Sequence, residues 1–274
     1  MRAGACAALL LAGFASGACA DAPGLPPPQP TYVDAGIGVG LVRFPVYTGA
    51  AEDRTVALPF PYFVVHSQFL DVDRNRVRGK LLNDEHFSVD VDFGGSVSVT
   101  SSDTRERQGM PDLDWMGEVG PALRYHAWRG EDHSGLDLVL PVRVAASVHA
   151  FDFHHRGYVV APRLEWHAPI AVQGDKVVWD SSLTADFFDR AYADYYYSVA
   201  PQYATPTRPA YAAAAGYAGW RWELGISWHH SDFVYGAFIE HSSLHGAIFQ
   251  SSPLVGDAGG WSAGVALSWV FHHR

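Results

Sequence analysis

The stretch of this sequence most suggestive of catalysis is "EHSSLHG", from Glu240 to Gly246. His241 could act as a general base, Ser243 as a nucleophile and Glu240 as the acid that orients the base, as in a lipid-modifying acyl hydrolase. Adjacent residues of a regular strand point to opposite faces, which would separate Glu240 from His241. A polar strand end that leads into a loop explains the stretch better, and we predict no enzyme activity.

Metal binding is the second chemistry that the residue types suggest, because the chain has 14 histidines. The pairs His154-His155 and His229-His230 cannot readily bind one ion from a regular strand, since their side chains point to opposite faces. Cys6 and Cys19 both precede a predicted cleavage site. The exported chain then has no thiolate ligand or cysteine nucleophile, and we predict no metal ion and no cofactor.

The strongest polar feature is a set of charged residues that alternate with apolar ones. In a closed sheet these side chains share one interior, where opposite charges can pair across strands. Such an interior is either a narrow aqueous pore or filled by its own side chains, and the sequence leaves both open. The candidate lumen charges are Asp90, Asp92, Glu118, Arg124, Asp137, Arg143, Arg163, Glu165, Asp180, Asp186, Arg221 and Glu223.

The elements that carry these residues are strands with one apolar and one polar face. Alternation with a period of two is clear in "HFSVDVDFGGSVSV", "GLDLVLPVRVAASV" and "WSAGVALSWVF", and it predicts strands. No segment shows a convincing helical period with caps. We expect one domain, residues 32–274, of about twelve antiparallel strands. Their predicted starts lie near residues 32, 58, 74, 86, 114, 135, 157, 176, 210, 221, 233 and 261.

In a membrane barrel the apolar face of the strands contacts lipid. In a soluble sandwich or lipocalin-like barrel it points inward. Charged residues make up only 18% of the chain, below the usual quarter, and tryptophan or tyrosine stands near many predicted strand ends. Both features favour a transmembrane up-and-down β-barrel in contact with outer-membrane lipid. Arg2 lies in an N-terminal segment that is predicted to be removed. Without it the chain has 18 basic and 29 acidic residues, a net charge of −11, which argues against nucleic acid as a partner.

The N-terminus has the pattern of a secretory signal peptide. Met1-Arg2 is a basic start, Ala3–Phe14 is apolar, and Ala18 and Ala20 form a small-residue cleavage site before Asp21. We therefore predict a signal peptide over residues 1–20. Residues 21–31, with five prolines, are expected to form an extended periplasmic leader.

Four stretches together resemble the MipA/OmpV family of Gram-negative outer-membrane proteins. They are "GIGVGLVRFPVYTGA", "TVALPFPYF", "YYYSV" followed by "YAAAAG", and "LHGAIFQSSPLV". Their order along the chain is that of the family, and they fall within residues 32–271. One departure is at the C-terminus, where Phe271 is followed by His272-His273-Arg274, whereas family members tend to end on an aromatic residue.

The resemblance implies a barrel in the cell outer membrane. It also implies a non-enzymatic role, because one member of the family is described as a scaffold that links a lytic murein transglycosylase to a murein synthase. We therefore expect an interaction protein of peptidoglycan synthesis and turnover. Other members resemble porins, so a small diffusion porin is the alternative. A lipid-modifying barrel hydrolase is a third, less favoured hypothesis.

Overall fold

The computed structural model describes residues 32–66, 70–73, 76–79, 82–83, 86–149, 152–172 and 174–273. The predicted signal peptide, its cleavage site and the proline-rich leader lie outside these residues. The strands are β1 (Tyr32–Pro45), β2 (Asp53–His66), β3 (Leu70–Asp73), β4 (Arg76–Gly79), β5 (Leu82–Asn83), β6 (Phe87–Ser96), β7 (Trp115–Arg129), β8 (Gly135–His149), β9 (Asp152–Val160), β10 (Arg163–Val172), β11 (Asp175–Phe188), β12 (Gly216–His230), β13 (Phe233–Ser243) and β14 (Gly259–His273).

The alternation of the sequence appears in the structure as an exposed apolar face and a buried polar face. In β8, Leu138 and Leu140 are 49% and 45% exposed, whereas Asp137 and Arg143 are buried. In β14, Val265 is 59% exposed while Ser268 is buried. This arrangement is the reverse of a soluble sandwich, in which the apolar face forms the core.

All pairings in the sheet are antiparallel, and its path runs β4-β3-β2-β1-β14-β13-β12-β11-β10-β8-β7-β6-β5. The first and last long strands pair, with Gly40 opposite Ala266, and β4 lies in contact with β6 near the other end of the path. The predicted all-β, up-and-down, barrel-like fold is confirmed.

The strands β9 and β10 act as one interrupted strand. Both pair with β8, β9 along Val142–His149 and β10 along Gly135–Val139. Between them lie Ala161 and Pro162, and proline lacks the N–H that a central strand needs. The sheet has 14 strands when the two are counted separately, against the predicted twelve or so.

The prediction of a strand near residue 210 is wrong. Residues 189–215 instead contain the helix α1 (Arg190–Tyr197) and a short 3₁₀ turn at Pro201–Tyr203. Asp189 caps α1, because its side chain accepts a hydrogen bond from the backbone N–H of Tyr192. The helix is only eight residues long, too short to show a clear helical period in the sequence.

The two ends of the barrel differ in the length of their connections. Short turns at 130–134 and 231–232 mark one end, where β1 begins and β14 ends. Long loops gather at the other end, and we call residues 46–52, 97–114, 189–215 and 244–258 the cap. Most of the buried apolar core lies in the cap rather than between the strands. None of the helices among the described residues is long and apolar enough to cross a membrane.

Candidate functional site

Arg124 of β7 is the centre of a buried cluster of charges inside the barrel. Its guanidinium contacts Asp90 at 2.9 Å, Asp137 at 2.9 Å and Glu165 at 2.6 Å, and all four side chains are at most 6% exposed. The three carboxylates come from β6, β8 and β10. The pairing of these strands brings the four residues together, because each occupies an inward position of the alternation.

A second cluster lies next to the first, on the side of the cap. Asp92 contacts Arg143 at 2.7 Å and Arg163 at 2.6 Å. Arg143 also contacts Glu118 at 2.9 Å, and Arg163 contacts Glu165 at 2.6 Å. Since Glu165 belongs to both clusters, eight of the predicted lumen charges form one continuous ion-pair network, which we call the lumen network.

The four remaining predicted charges lie on β11 and β12. Arg221 contacts Asp186 at 2.8 Å and Glu240 of β13 at 3.8 Å. Asp180 and Glu223 are half-buried and also have interaction partners. Glu240 was not among the predicted lumen charges, although it occupies the same inward position as its strand partner Glu223.

Burial determines what this interior can do. Charges removed from water are stable only when they are paired and hydrogen-bonded, and the bidentate contact of Arg163 with Asp92 meets that requirement. The lumen network therefore neutralises its buried charges through ion pairs between the neighbouring strands β6, β7, β8 and β10.

The lumen network reaches the short-turn end of the barrel. Asp137 contacts Arg129 at 2.6 Å and the Nδ1 atom of His126 at 3.0 Å, next to the β7–β8 turn. In that turn, Asp132 accepts hydrogen bonds from the hydroxyl and the backbone N–H of Ser134. These two bonds lower the pKa of Asp132 below its usual value.

At the other end, α1 joins the cap to the barrel wall through tyrosine hydroxyls. Tyr192 donates a hydrogen bond of 2.7 Å to Glu118 of the lumen network, and Tyr196 lies 2.6 Å from the hydroxyl of Ser96. Burial raises the pKa of Tyr192 well above its usual value and that of Tyr196 to about 12. Both hydroxyls therefore stay protonated at physiological pH.

The four segments of the cap are packed against each other. The rings of Tyr197 and Phe249 stack with centroids 3.9 Å apart. Tyr47 donates to the carbonyl of Leu254 at 2.6 Å, and the hydroxyl of Ser252 donates to the carbonyl of Tyr197 at 2.6 Å. These contacts join residues more than 50 positions apart, so the cap is a folded unit that covers this end of the barrel.

Two buried arginines stabilise the cap by donating to backbone carbonyls. Arg107 donates to Tyr196 at 3.0 Å and to Pro111 at 3.2 Å, and burial lowers the pKa of its guanidinium. Arg208 donates to Glu106 at 2.9 Å. Loop carbonyls have no strand partners, and these guanidinium groups satisfy them.

Comparison with known proteins identifies the family. The family described as "MltA-interacting protein MipA" matches residues 37–271, which is nearly the whole described chain. The chain belongs to the MipA family. A comparison with curated proteins finds none that matches this chain. A solved structure described as "Crystal structure of a Pseudomonas aeruginosa FadL homologue" is similar over 88% of this chain and 90% of that chain, with 7% identity and a TM-score of 0.27.

In this MipA family member the contacts described for the candidate hydrolase residues are with other groups. Glu240 faces the lumen, whereas the Nδ1 atom of His241 lies 3.1 Å from the carbonyl oxygen of Gly260 on the outer face. The hydroxyl of Ser243 instead lies 3.0 Å from the Nδ1 atom of His245. Among the described residues, no group of three or more His, Cys, Asp or Glu side chains is placed to hold a metal ion.

Proposed function

We propose that this MipA family member is an outer-membrane β-barrel that acts as a non-enzymatic interaction protein of the cell envelope. The observation that carries the proposal is a barrel with an apolar outer face, a charged interior and a cap. Outer-membrane barrels have the same distribution of polarity, together with short turns at the periplasmic end and longer loops outside. In that orientation the cap faces the exterior and the short turns face the periplasm.

The outer face has the composition expected of a lipid contact. Exposed aromatic side chains stand near both ends of β14, with Trp261 on the side of the cap and Trp269 and Phe271 on the side of the short turns. Exposed Val265 and Leu267 lie between them. Aromatic belts with an aliphatic band between them are typical of a membrane-facing barrel surface.

A role in protein interaction agrees better with the interior than a role in diffusion does. An open porin needs a continuous aqueous path, and the charges of the lumen network are paired with each other along β6, β7, β8 and β10. The folded cap at the other end supports the same preference. Binding surfaces on the outside of the barrel are then the parts available for function.

The proposed partner is a lytic murein transglycosylase, because the family description refers to an interaction with MltA. A murein synthase would be a further partner of the same assembly. Both classes of enzyme act on peptidoglycan in the periplasm, so the short-turn end is the proposed contact surface. Its described turns include residues 130–134 and 231–232.

A charge-reversal experiment tests this surface. The purified barrel, immobilised in detergent, should retain a lytic transglycosylase from the same envelope extract, and Glu131→Arg in the exposed β7–β8 turn should weaken that retention. Arg105→Glu reverses an exposed charge in the cap and is the matched control. The scaffold proposal fails if the unaltered barrel retains neither a transglycosylase nor a murein synthase. Equal loss by both variants would reject the short-turn end as the contact surface.

The second candidate is a small diffusion porin, favoured by the many charged groups that face the interior. A conducting lumen rich in carboxylates would prefer cations. Planar-bilayer recordings of the purified barrel decide between the two functions. We expect negligible conductance. Steady large-conductance steps would favour the porin function over the interaction function.

A further inference from the structure

The lumen network and the cap form one continuous chain of contacts from end to end of the barrel. It begins at the hydroxyl of Tyr192 in α1, which donates to Glu118. It continues through the lumen network and ends at Asp137 with His126 and Arg129 beside the β7–β8 turn. Glu118 and Arg129 are eleven positions apart on β7, which corresponds to roughly 35 Å of strand.

The steps inside the lumen network are short, buried contacts between charged groups. Glu118 lies 2.9 Å from Arg143, which lies 2.7 Å from Asp92. Arg163 lies 2.6 Å from Asp92 and 2.6 Å from Glu165. Screening by water and salt is weak for buried pairs, so the loss of one partner changes the electrostatic energy of the next.

The two ends of the chain are close to surfaces that a ligand or a partner can reach. On the cap side, α1 carries exposed residues such as Arg190 as well as the buried Tyr192. At the short-turn end the side chain of Arg129 is 42% exposed, although it contacts the buried Asp137. A molecule that engages Arg129 competes directly with the last ion pair of the chain.

We infer that the lumen network couples the cap to the short-turn surface. Displacement of α1 removes the hydrogen bond to Glu118, shifts the ion pairs of the lumen network and loosens the β7–β8 turn. By thermodynamic reciprocity, a protein that binds the short-turn surface through Arg129 changes the stability of the cap. On the placement in the outer membrane that the proposed function gives it, the barrel then transmits a binding event from one side of the membrane to the other.

Two tyrosines of the same helix supply a matched test. Tyr192→Phe removes the hydroxyl that contacts Glu118, whereas Tyr197→Phe removes one that donates to the carbonyl of Thr48 within the cap. Both rings are buried, so the two substitutions perturb α1 to a similar extent. Hydrogen exchange of the purified full barrel, read at residues 126–137, reports on the far end of the chain.

The expected result is faster exchange at residues 126–137 in Tyr192→Phe, by roughly 2- to 30-fold, the range that corresponds to energetic coupling through such networks. Tyr197→Phe should leave that segment unchanged. An unchanged segment in both variants, or equal acceleration in both, would overturn the inference. Hydrogen exchange in β13 and β14 is the control for global unfolding of Tyr192→Phe. Its rates there should equal those of the unaltered barrel.

The reverse perturbation tests reciprocity from the short-turn end. Arg129→Gln breaks the ion pair with Asp137, and exchange of the α1 amides at residues 190–197 should accelerate. His230→Gln removes a contact with Asp175 at the same end of the barrel but outside the lumen network, and it should not affect α1. An unaffected helix in Arg129→Gln, or equal acceleration in both variants, would show that the chain does not carry the coupling.

Discussion

Replacement of Arg124 by glutamine tests whether the lumen network is dry and mutually dependent. The substitution removes a buried cation that contacts Asp90, Asp137 and Glu165. Asp137 keeps its contact with Arg129, and Glu165 keeps Arg163. Arg124 is the ion-pair partner that the structure describes for Asp90, so the substitution takes that counterion away from a buried carboxylate.

The expected cost follows from the loss of the buried pair between Arg124 and Asp90. Removal of one partner from a buried ion pair costs about 3–5 kcal/mol. The double variant Arg124→Gln/Asp90→Asn removes both charges and leaves amides that can hydrogen-bond. We expect it to recover most of the lost stability, to within about 1–2 kcal/mol of the unaltered barrel, because replacement of a whole buried ion pair is often nearly neutral.

The assay is urea-induced unfolding of the barrel in lipid vesicles, followed by tryptophan fluorescence, with the free energy of unfolding obtained by linear extrapolation. Arg43→Gln is the control, since Arg43 is 68% exposed and its ion pair with Asp53 should contribute at most about 1 kcal/mol. If Arg124→Gln costs no more than Arg43→Gln, the interior is hydrated. If the double variant is as unstable as Arg124→Gln, the loss of the counterion of Asp90 is not the cause.

Three further predictions test the outer face, the close packing of the sheet and the cap. Val265→Arg places a charge on the 59% exposed outer face of β14 and should cost about 2–4 kcal/mol in vesicles if that face meets the bilayer centre; a cost under about 0.5 kcal/mol would indicate a water-facing surface. At Gly120, a Cβ atom would overlap the backbone carbonyl of Val142, whereas at Gly117 it would meet nothing within 4 Å. Gly120→Val should therefore cost about 1–3 kcal/mol, and an equal effect of Gly117→Val in the same unfolding assay would refute that explanation. Burial raises the pKa of Tyr196 to about 12, so its contribution to stability is fully present below pH 10 and is lost as the pH rises towards 12. Ultraviolet titration should show one fewer late-ionising tyrosine in Tyr196→Phe, and an unchanged titration curve would contradict the assignment.

Sequence patterns predicted much of the wall of this barrel, because the strand period of two depends on local geometry alone. Asp90 and Asp92 alternate with Val89, Val91 and Phe93, and this spacing assigns the carboxylates to one face wherever the strand pairs. The same logic placed Arg124 and Asp137 on inward positions before any strand order was known. It could not decide which charges pair, because that depends on the stagger between β6, β7, β8 and β10.

The cap shows the opposite case. The stretch "RAYADYYY" has no clear period, and its helix forms where Asp189 caps it and where Tyr192, Tyr196 and Tyr197 find buried partners. Those partners come from loops that are distant in sequence, such as Phe249 of the β13–β14 loop. The sequence thus determined a barrel-like wall with one charged face, through local alternation. Only the tertiary structure decided that the charges form a connected network beneath a folded cap, because strand register and long-range loop packing bring those groups together.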